Sequence, residues 1–143
     1  MTDNQTKAPF ASPAWVDIAR EVLEELVAQH GEDGQTLSIC EAFVEAPAEI
    51  ADADGCAAWH FYIDGKNVRV GTGRIAEADI QIQATWETSL PGARLVYTPE
   101  LLAEWEKNPP ERPVDPNQKV EGDMTNLPTY LMELHNRMAV VTE

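Results

Sequence analysis

Two side chains suited to acid–base chemistry, His60 and Tyr62, are two positions apart in a segment of alternating apolar and polar residues. Residues two apart on a strand point to the same face, and Asp64 and Asp79 follow soon after them. A histidine beside a tyrosine and a carboxylate could act as general acid and base of a small isomerase or dehydratase. The same arrangement is common on the partly exposed second face of a sheet. Because no nucleophile or metal partner lies near it in sequence, we predict that His60 is not catalytic.

Other signatures of chemistry are missing from the sequence. It contains no GxSxG, HExxH, Walker loop or GxGxxG pattern, and Gly71-Thr72-Gly73 ends a strand pattern without opening a helix. Cys40 and Cys56 lack CxxC spacing, and the three histidines are isolated from one another. We therefore expect no cofactor, no metal site and no cradle for phosphate.

The composition predicts one acidic globular domain. The chain has 143 residues, of which 43% are apolar, and 25 acidic residues outnumber 10 basic ones to give a net charge of −15. That size is enough for one core, and the charge repels a phosphate backbone, which excludes nucleic acid as the main partner. The sequence has neither a signal-peptide pattern nor an apolar run of about 18 residues. We expect a cytoplasmic protein that is not integral to a membrane.

The chain begins with a polar segment without periodicity, which predicts a disordered tail over residues 1–11 and a single domain over 12–143. A helical pattern then starts at Ser12, a favoured N-cap residue, places Pro13 at the first helical position and ends at Gly31. One face of this helix is apolar and the other is mostly acidic, which indicates an amphipathic helix on a core.

The middle of the chain alternates with the period of β-strands. Residues 37–44 and 57–64 predict two strands, and Asp64-Gly65 predicts a hairpin to a third strand that contains Val68 and Val70. Further strands are predicted over 80–84 and 119–123. One apolar and one polar face are typical of an antiparallel sheet covered on one side.

The later helices carry the candidate ligand-binding residues. Beyond Thr85 the period becomes helical in two short pieces, broken near Pro91-Gly92 and Thr98-Pro99, and a final helix is predicted from near Asn126. Large apolar pockets are lined by aromatic and aliphatic side chains with few polar groups. The candidate lining residues are Trp86, Leu90, Leu95, Leu101, Leu102, Trp105, Leu127, Tyr130, Leu131, Leu134 and Met138. Together the elements predict an α+β fold in two layers.

A proline-rich loop, Pro109–Pro116, separates the short helices from the last strand. Its two PxxP spacings could form a polyproline ligand for a partner protein, or the loop could be a plain connector. Both interpretations remain open from the sequence.

Several motifs in order resemble the sterol carrier protein type 2 family. They are Phe61-Tyr62-Ile63-Asp64-Gly65, then Val68 and Val70, then Ala78-Asp79-Ile80-Gln81-Ile82, and finally Val120-Glu121-Gly122-Asp123 before a terminal amphipathic helix. The resemblance spans about Trp15 to Met138. It implies a curved, mainly antiparallel five-stranded sheet covered by helices, with an apolar tunnel for sterols, fatty acids or acyl-CoA esters.

The function expected from these observations is a non-enzymatic binding or carrier domain for an apolar small molecule such as a sterol or fatty acid. A coenzyme A thioester would bring several negative charges to a surface of net charge −15, so a neutral ligand is the better expectation. An accessory protein-interaction domain is the alternative, and a small acid–base enzyme is the third hypothesis.

Overall fold

The computed structural model describes residues 7–110, 115–123 and 127–143. They form four helices and five strands in the order α1 Pro13–His30, β1 Thr36–Val44, β2 Ala57–Asp64, β3 Asn67–Thr72, β4 Ile80–Thr85, α2 Trp86–Ala93, α3 Pro99–Lys107, β5 Lys119–Glu121 and α4 Tyr130–Ala139. In this part of the chain, no helix is long and apolar enough to cross a membrane.

The five strands form one sheet in the order β3-β2-β1-β4-β5. The β1/β2, β2/β3 and β4/β5 pairings are antiparallel, whereas β1 and β4 run parallel. Residues 73–79 cross the sheet from β3 to β4, and the Gln81 side chain donates to the Ile75 carbonyl in this crossing (3.0 Å). The predicted α+β class with a mainly antiparallel five-stranded sheet is confirmed.

Helix α1 begins and ends where the sequence predicts. The Ser12 hydroxyl accepts a hydrogen bond from the Trp15 amide, Pro13 occupies the first turn, and the Gly31 amide closes the last turn on the Val27 carbonyl. The apolar face of α1 packs on one face of the sheet. Phe61 is one of the large sheet residues in this core. The amphipathic pattern therefore identified both the helix and its buried side.

Ala8, Phe10 and Ala11 are part of this core, which differs from the disordered tail expected over residues 1–11. Phe10 is 5% exposed and Ala8 is 3% exposed. The Ala8 amide donates to the Val141 carbonyl, and the Glu143 amide donates to the Ala8 carbonyl. The two ends of the described chain stabilise each other through these bonds, a long-range pairing that no local sequence pattern reveals.

Two helix boundaries differ from the sequence prediction. Helix α2 continues through Pro91, because a proline in the last turn of a short helix removes a single hydrogen bond. Helix α4 begins at Tyr130 rather than near Asn126, which lies outside the described residues. Pro128 therefore precedes this helix instead of lying in its first turn.

One glycine fixes the end of β5 against the start of β4. Gly122 has a φ of +109°, and a Cβ atom built on it would lie 2.2 Å from the Asp79 carbonyl oxygen. Only a residue without a side chain permits this approach. The Gly122-Asp123 turn thus holds the edge strand beside β4.

Candidate ligand-binding site

Helices α2 and α3 carry large apolar side chains but contain no buried residue. Trp86, Leu90, Leu101 and Trp105 are half-buried, and Leu102 is 41% exposed. In a protein of this size, apolar helix faces normally pack into the core. These two helices therefore leave an apolar surface that the described chain does not cover.

Two contacts hold α2 in place. The Trp86 indole N–H donates to the Phe10 carbonyl (2.8 Å), which links the helix to the core beneath α1. At the N-terminus of the helix, the Asp115 carboxylate accepts hydrogen bonds from the Thr85 amide (2.8 Å), the Thr85 hydroxyl (2.8 Å) and the Thr88 hydroxyl (3.1 Å). These bonds stabilise the ionised form and lower the pKa of Asp115 to about 2.

The segment between α2 and α3 is held against α4 by polar contacts. Asn136 forms two hydrogen bonds with the Tyr97 backbone, of 2.7 and 3.1 Å. The Tyr97 ring stacks on His135 with centroids 4.2 Å apart and meets Trp105 edge-on at 5.5 Å. Leu95, at 37% exposure, lies on the outer side of this segment. The orientation of α3 therefore depends on α4 through aromatic and amide contacts.

The inner face of the sheet changes character from β1 to β5. Ile80 is 1% exposed, but Ile82 and Ala84 on the same face of β4 are only half-buried. Val120 pairs with Ile82 in register and is 47% exposed. Val68 and Val70 of β3 are likewise half-buried, so the inner face is best covered over β1 and β2.

The predicted residues of α4 and the turn before it divide into two groups. Tyr130, Leu134 and Met138 are buried in the core cluster, whereas Leu127 and Leu131 are half-buried at its margin. Burial raises the pKa of the Tyr130 phenol, and its hydroxyl oxygen is buried without a hydrogen-bond partner among the described residues. The side of α4 that carries Tyr130, Leu134 and Met138 therefore packs in the core, whereas Leu131 lies at the margin of the core.

Glu41 is a candidate functional residue that the sequence analysis did not select. It occupies the inner face of β1, between Ile39 and Phe43, and pairs with Trp59 on β2 and Ile82 on β4. Burial desolvates its carboxyl and raises its pKa. A signal was present in the sequence, because an acidic residue interrupts the apolar positions 37, 39 and 43 of an alternating strand.

The described contacts of His60 do not support the acid–base hypothesis. The His60 Nδ1 atom lies 2.8 Å from the Gly73 carbonyl oxygen, and Tyr62 is 44% exposed beside a surface cavity of about 320 Å³ that Asp64 also lines. The Asp79 carboxylate instead accepts a hydrogen bond from the Ser38 amide (2.9 Å). None of these described contacts joins the histidine to a carboxylate.

Metal-ligating residues do not converge in the described ranges. No group of three histidine, cysteine, aspartate or glutamate side chains there could hold a metal ion. Cys40 and Cys56 are free and buried. Burial raises the pKa of both thiols, which makes them poor metal ligands and nucleophiles.

Comparison with known proteins finds solved structures only. No protein-family model and no curated protein matches the chain. A crystal structure of sterol carrier protein 2 has a TM-score of 0.46 at 14% identity and covers 93% of this chain and 99% of its own. The UbiJ-SCP2 ubiquinone synthesis protein has a TM-score of 0.33 at 17% identity and covers 89% and 78%. A conserved hypothetical protein of Thermus thermophilus, titled as possibly a sterol carrier protein, has a TM-score of 0.42 at 14% identity and covers 95% and 96%. All three solved structures are similar to this chain at low sequence identity and with TM-scores below 0.5.

Proposed function

We propose that this protein binds or carries an apolar small molecule of the sterol or fatty-acid class in a hydrophobic tunnel between the sheet and the later helices. One observation carries the proposal: α2 and α3 bury no residue, although they hold two tryptophans and several leucines. The half-buried inner face of β4 lies beside α2, whose Leu90 and Trp86 pack at the edge of the core.

The uncovered surface supplies the driving force for such a ligand. Each 100 Å² of apolar area removed from water contributes about 2.5 kcal/mol, part of which is lost in ordering the ligand. A sterol or fatty acid that covers the half-buried apolar side chains of α2 and β4 would remove them from contact with water. The free energy of binding would then come mainly from burial rather than from specific polar contacts.

The charge of the protein favours a neutral ligand. A net charge of −15 repels an acyl-CoA ester, whose phosphates would lie near the tunnel mouth. The proposal includes the cytoplasmic location that the sequence predicts. It also includes the absence of catalysis, since the predicted acid–base residues do not converge.

The experiment that tests the proposal combines native mass spectrometry of freshly purified protein with titration of Nile red, a neutral apolar dye. We expect a co-purified mass of lipid size and saturable dye fluorescence. Val120→Asp, which places a charge on the inner face of β5, should weaken dye binding by about 10-fold or more, in line with the cost of an unpaired charge beside an apolar ligand.

Lys119→Gln is the matched control, because it changes the net charge by the same amount on the opposite face of β5. Its dye affinity should equal that of the natural protein. A bare chain that binds neither Nile red nor any other neutral apolar probe would refute the carrier function.

A protein-interaction domain is the second candidate, and the exposed apolar residues outside the proposed site favour it. Val96, Met132 and Val140 are 37%, 43% and 47% exposed. Val96 and Val140 line one open surface cavity of about 610 Å³. Of the Pro109–Pro116 loop, residues 111–114 lie outside the described ranges, so its polyproline hypothesis stays a prediction. Failure of all apolar probes would favour this second candidate.

A further inference from the structure

Glu41 lies where an apolar side chain is expected. It is on the central part of β1, and its neighbours on the same face of that strand, Ile39 and Phe43, are 6% and 5% exposed. Across the sheet it pairs with Trp59 on one side and Ile82 on the other. An acidic side chain among such neighbours loses hydration without gaining apolar contacts. It therefore needs a polar partner.

The described residues give Glu41 one such partner. The Trp59 indole N–H donates to the Oε1 atom of Glu41 (2.9 Å). The Trp59 ring is held by an edge contact with Trp15 (5.2 Å) and by Phe61 (5.3 Å), which fixes the position of this oxygen. No salt bridge of the described residues includes Glu41. The second carboxyl oxygen, Oε2, is left for another group.

The surroundings of Glu41 indicate that this other group comes from a ligand. Protein atoms surround the carboxyl closely enough to desolvate it and raise its pKa, yet the residue keeps accessible surface, whereas Trp59 is only 3% exposed. Glu41 is thus only partly covered by the described chain. Its paired neighbour on β4, Ile82, is half-buried as well, as are Leu37, Val68, Val70 and Ala84 on the same face of the sheet.

We infer that Glu41 is the polar anchor of the proposed site and that the ligand is an apolar molecule that ends in a hydroxyl group. This inference rests on the proposed function. A hydroxyl group donates a hydrogen bond to an ionised carboxylate and accepts one from a neutral carboxyl, so it fits Oε2 in either protonation state.

Other head groups fit less well. A fatty acid would bring a second carboxyl group into a desolvated place where Glu41 has no basic partner among the described residues, so ionisation of both groups is disfavoured. An alkane would leave Oε2 without a hydrogen bond, which costs free energy among apolar neighbours. An amine would require Glu41 to be ionised, a form that its burial disfavours.

The test uses dodecanol, dodecane, dodecanoic acid and dodecylamine as competitors of Nile red on the full chain. We expect dodecanol to compete at least about 10-fold better than each of the others, which corresponds to one hydrogen bond to a buried ionisable group. Glu41→Leu should abolish this preference while Nile red still binds. Glu41→Gln should retain most of it, because the amide accepts from Trp59 and donates to the ligand hydroxyl.

Glu24→Leu is the matched control, since Glu24 is exposed on α1 and the substitution is chemically the same. It should leave the dodecanol preference unchanged. A preference for dodecanol that survives Glu41→Leu, equal competition by dodecane, or stronger competition by the acid or the amine would overturn the inference while the carrier function stands. If no apolar probe binds, both proposals fail together.

A second measurement does not depend on whether the Glu41 variants fold. The indole N–H resonance of Trp59 should move when dodecanol is added to the natural protein and should stay in place with dodecane. The indole of Trp15 donates to the Thr142 hydroxyl (2.9 Å) and that of Trp86 to the Phe10 carbonyl (2.8 Å), so these resonances serve as internal references. A Trp59 resonance that ignores dodecanol at saturating concentration would refute the contact.

Discussion

Phe10→Ala tests whether the N-terminal segment belongs to the core. The Phe10 ring lies 4.6 Å from Phe43, 5.5 Å from Trp15 and 6.1 Å from Trp86, measured between ring centroids. Phe10 is 5% exposed, and its carbonyl accepts the Trp86 indole N–H. The side chain therefore joins α1, β1 and α2, whereas a disordered tail would give it no contact at all.

The size of the effect follows from this environment. Removing a buried phenylalanine ring costs about 3–5 kcal/mol, through lost transfer free energy and the cavity that remains. Because Phe10 lies near a chain end that can shift to fill part of the cavity, we expect the lower part of this range. A loss of about 3 kcal/mol corresponds to a fall of roughly 10 °C in melting temperature for a domain of this size.

The assay is urea unfolding followed by tryptophan fluorescence, with calorimetry as a second probe. Phe10→Ala should lower the urea midpoint and leave the slope unchanged, because the same surface is exposed on unfolding. Pro9→Ala is the matched control: Pro9 is the exposed neighbour, and its replacement should change stability by less than about 0.5 kcal/mol. A Phe10→Ala protein as stable as this control would refute the packing of residues 8–11 and restore the disordered tail.

Two further predictions concern the edges of the candidate site. Leu134→Ala should cost about 2–5 kcal/mol of unfolding free energy because Leu134 is in the core, whereas Leu131→Ala should cost less and speed the release of a bound apolar dye, as measured by denaturation and stopped-flow fluorescence. Equal destabilisation with unchanged release would argue against the place of Leu131 at the margin of the candidate site. Because its hydrogen bonds lower the pKa of Asp115 from 3.8 to about 2, this carboxylate stabilises the fold above about pH 4, and its contribution is lost as the pH falls toward 2. Asp115→Asn should therefore reduce the urea midpoint at neutral pH and lessen its dependence on pH in that acidic range; an identical pH profile would contradict the role of Asp115 at the start of α2.

Strands and the first helix were predictable because their signals are local. Strand β2 spans 57–64 as predicted, and α1 begins after Ser12 and ends before Gly31, since capping residues and periodicity act within one or two turns. The burial of residues 8–11 was not predictable, because it depends on hydrogen bonds between Ala8 and the last residues of the chain.

The candidate site was predictable only in part. Alternation and apolar composition identified α2, α3 and α4 as carriers of aromatic and aliphatic side chains, but periodicity does not tell a core stripe from the wall of a cavity. Leu134 and Leu131 belong to the same predicted stripe, and the packing of α4 against α1 buries the first and leaves the second at the margin. Glu41 is an acidic residue at an apolar position of the strand pattern, but its contact with Trp59 depends on the tertiary structure.

The sequence alone determined the fold class, the strand alternation, the acidic surface and the resemblance to sterol carrier proteins, because composition and short-range periodicity are properties of neighbouring residues. The tertiary structure decided which strands pair, that β1 and β4 run parallel, and that the inner face is best covered over β1 and β2 and exposed over β5. It also decided that the Glu41 carboxyl meets the Trp59 indole, two side chains that are 18 residues apart. Such contacts arise because folding brings distant segments together, and the free energy of burial depends on all the neighbours of a residue at once.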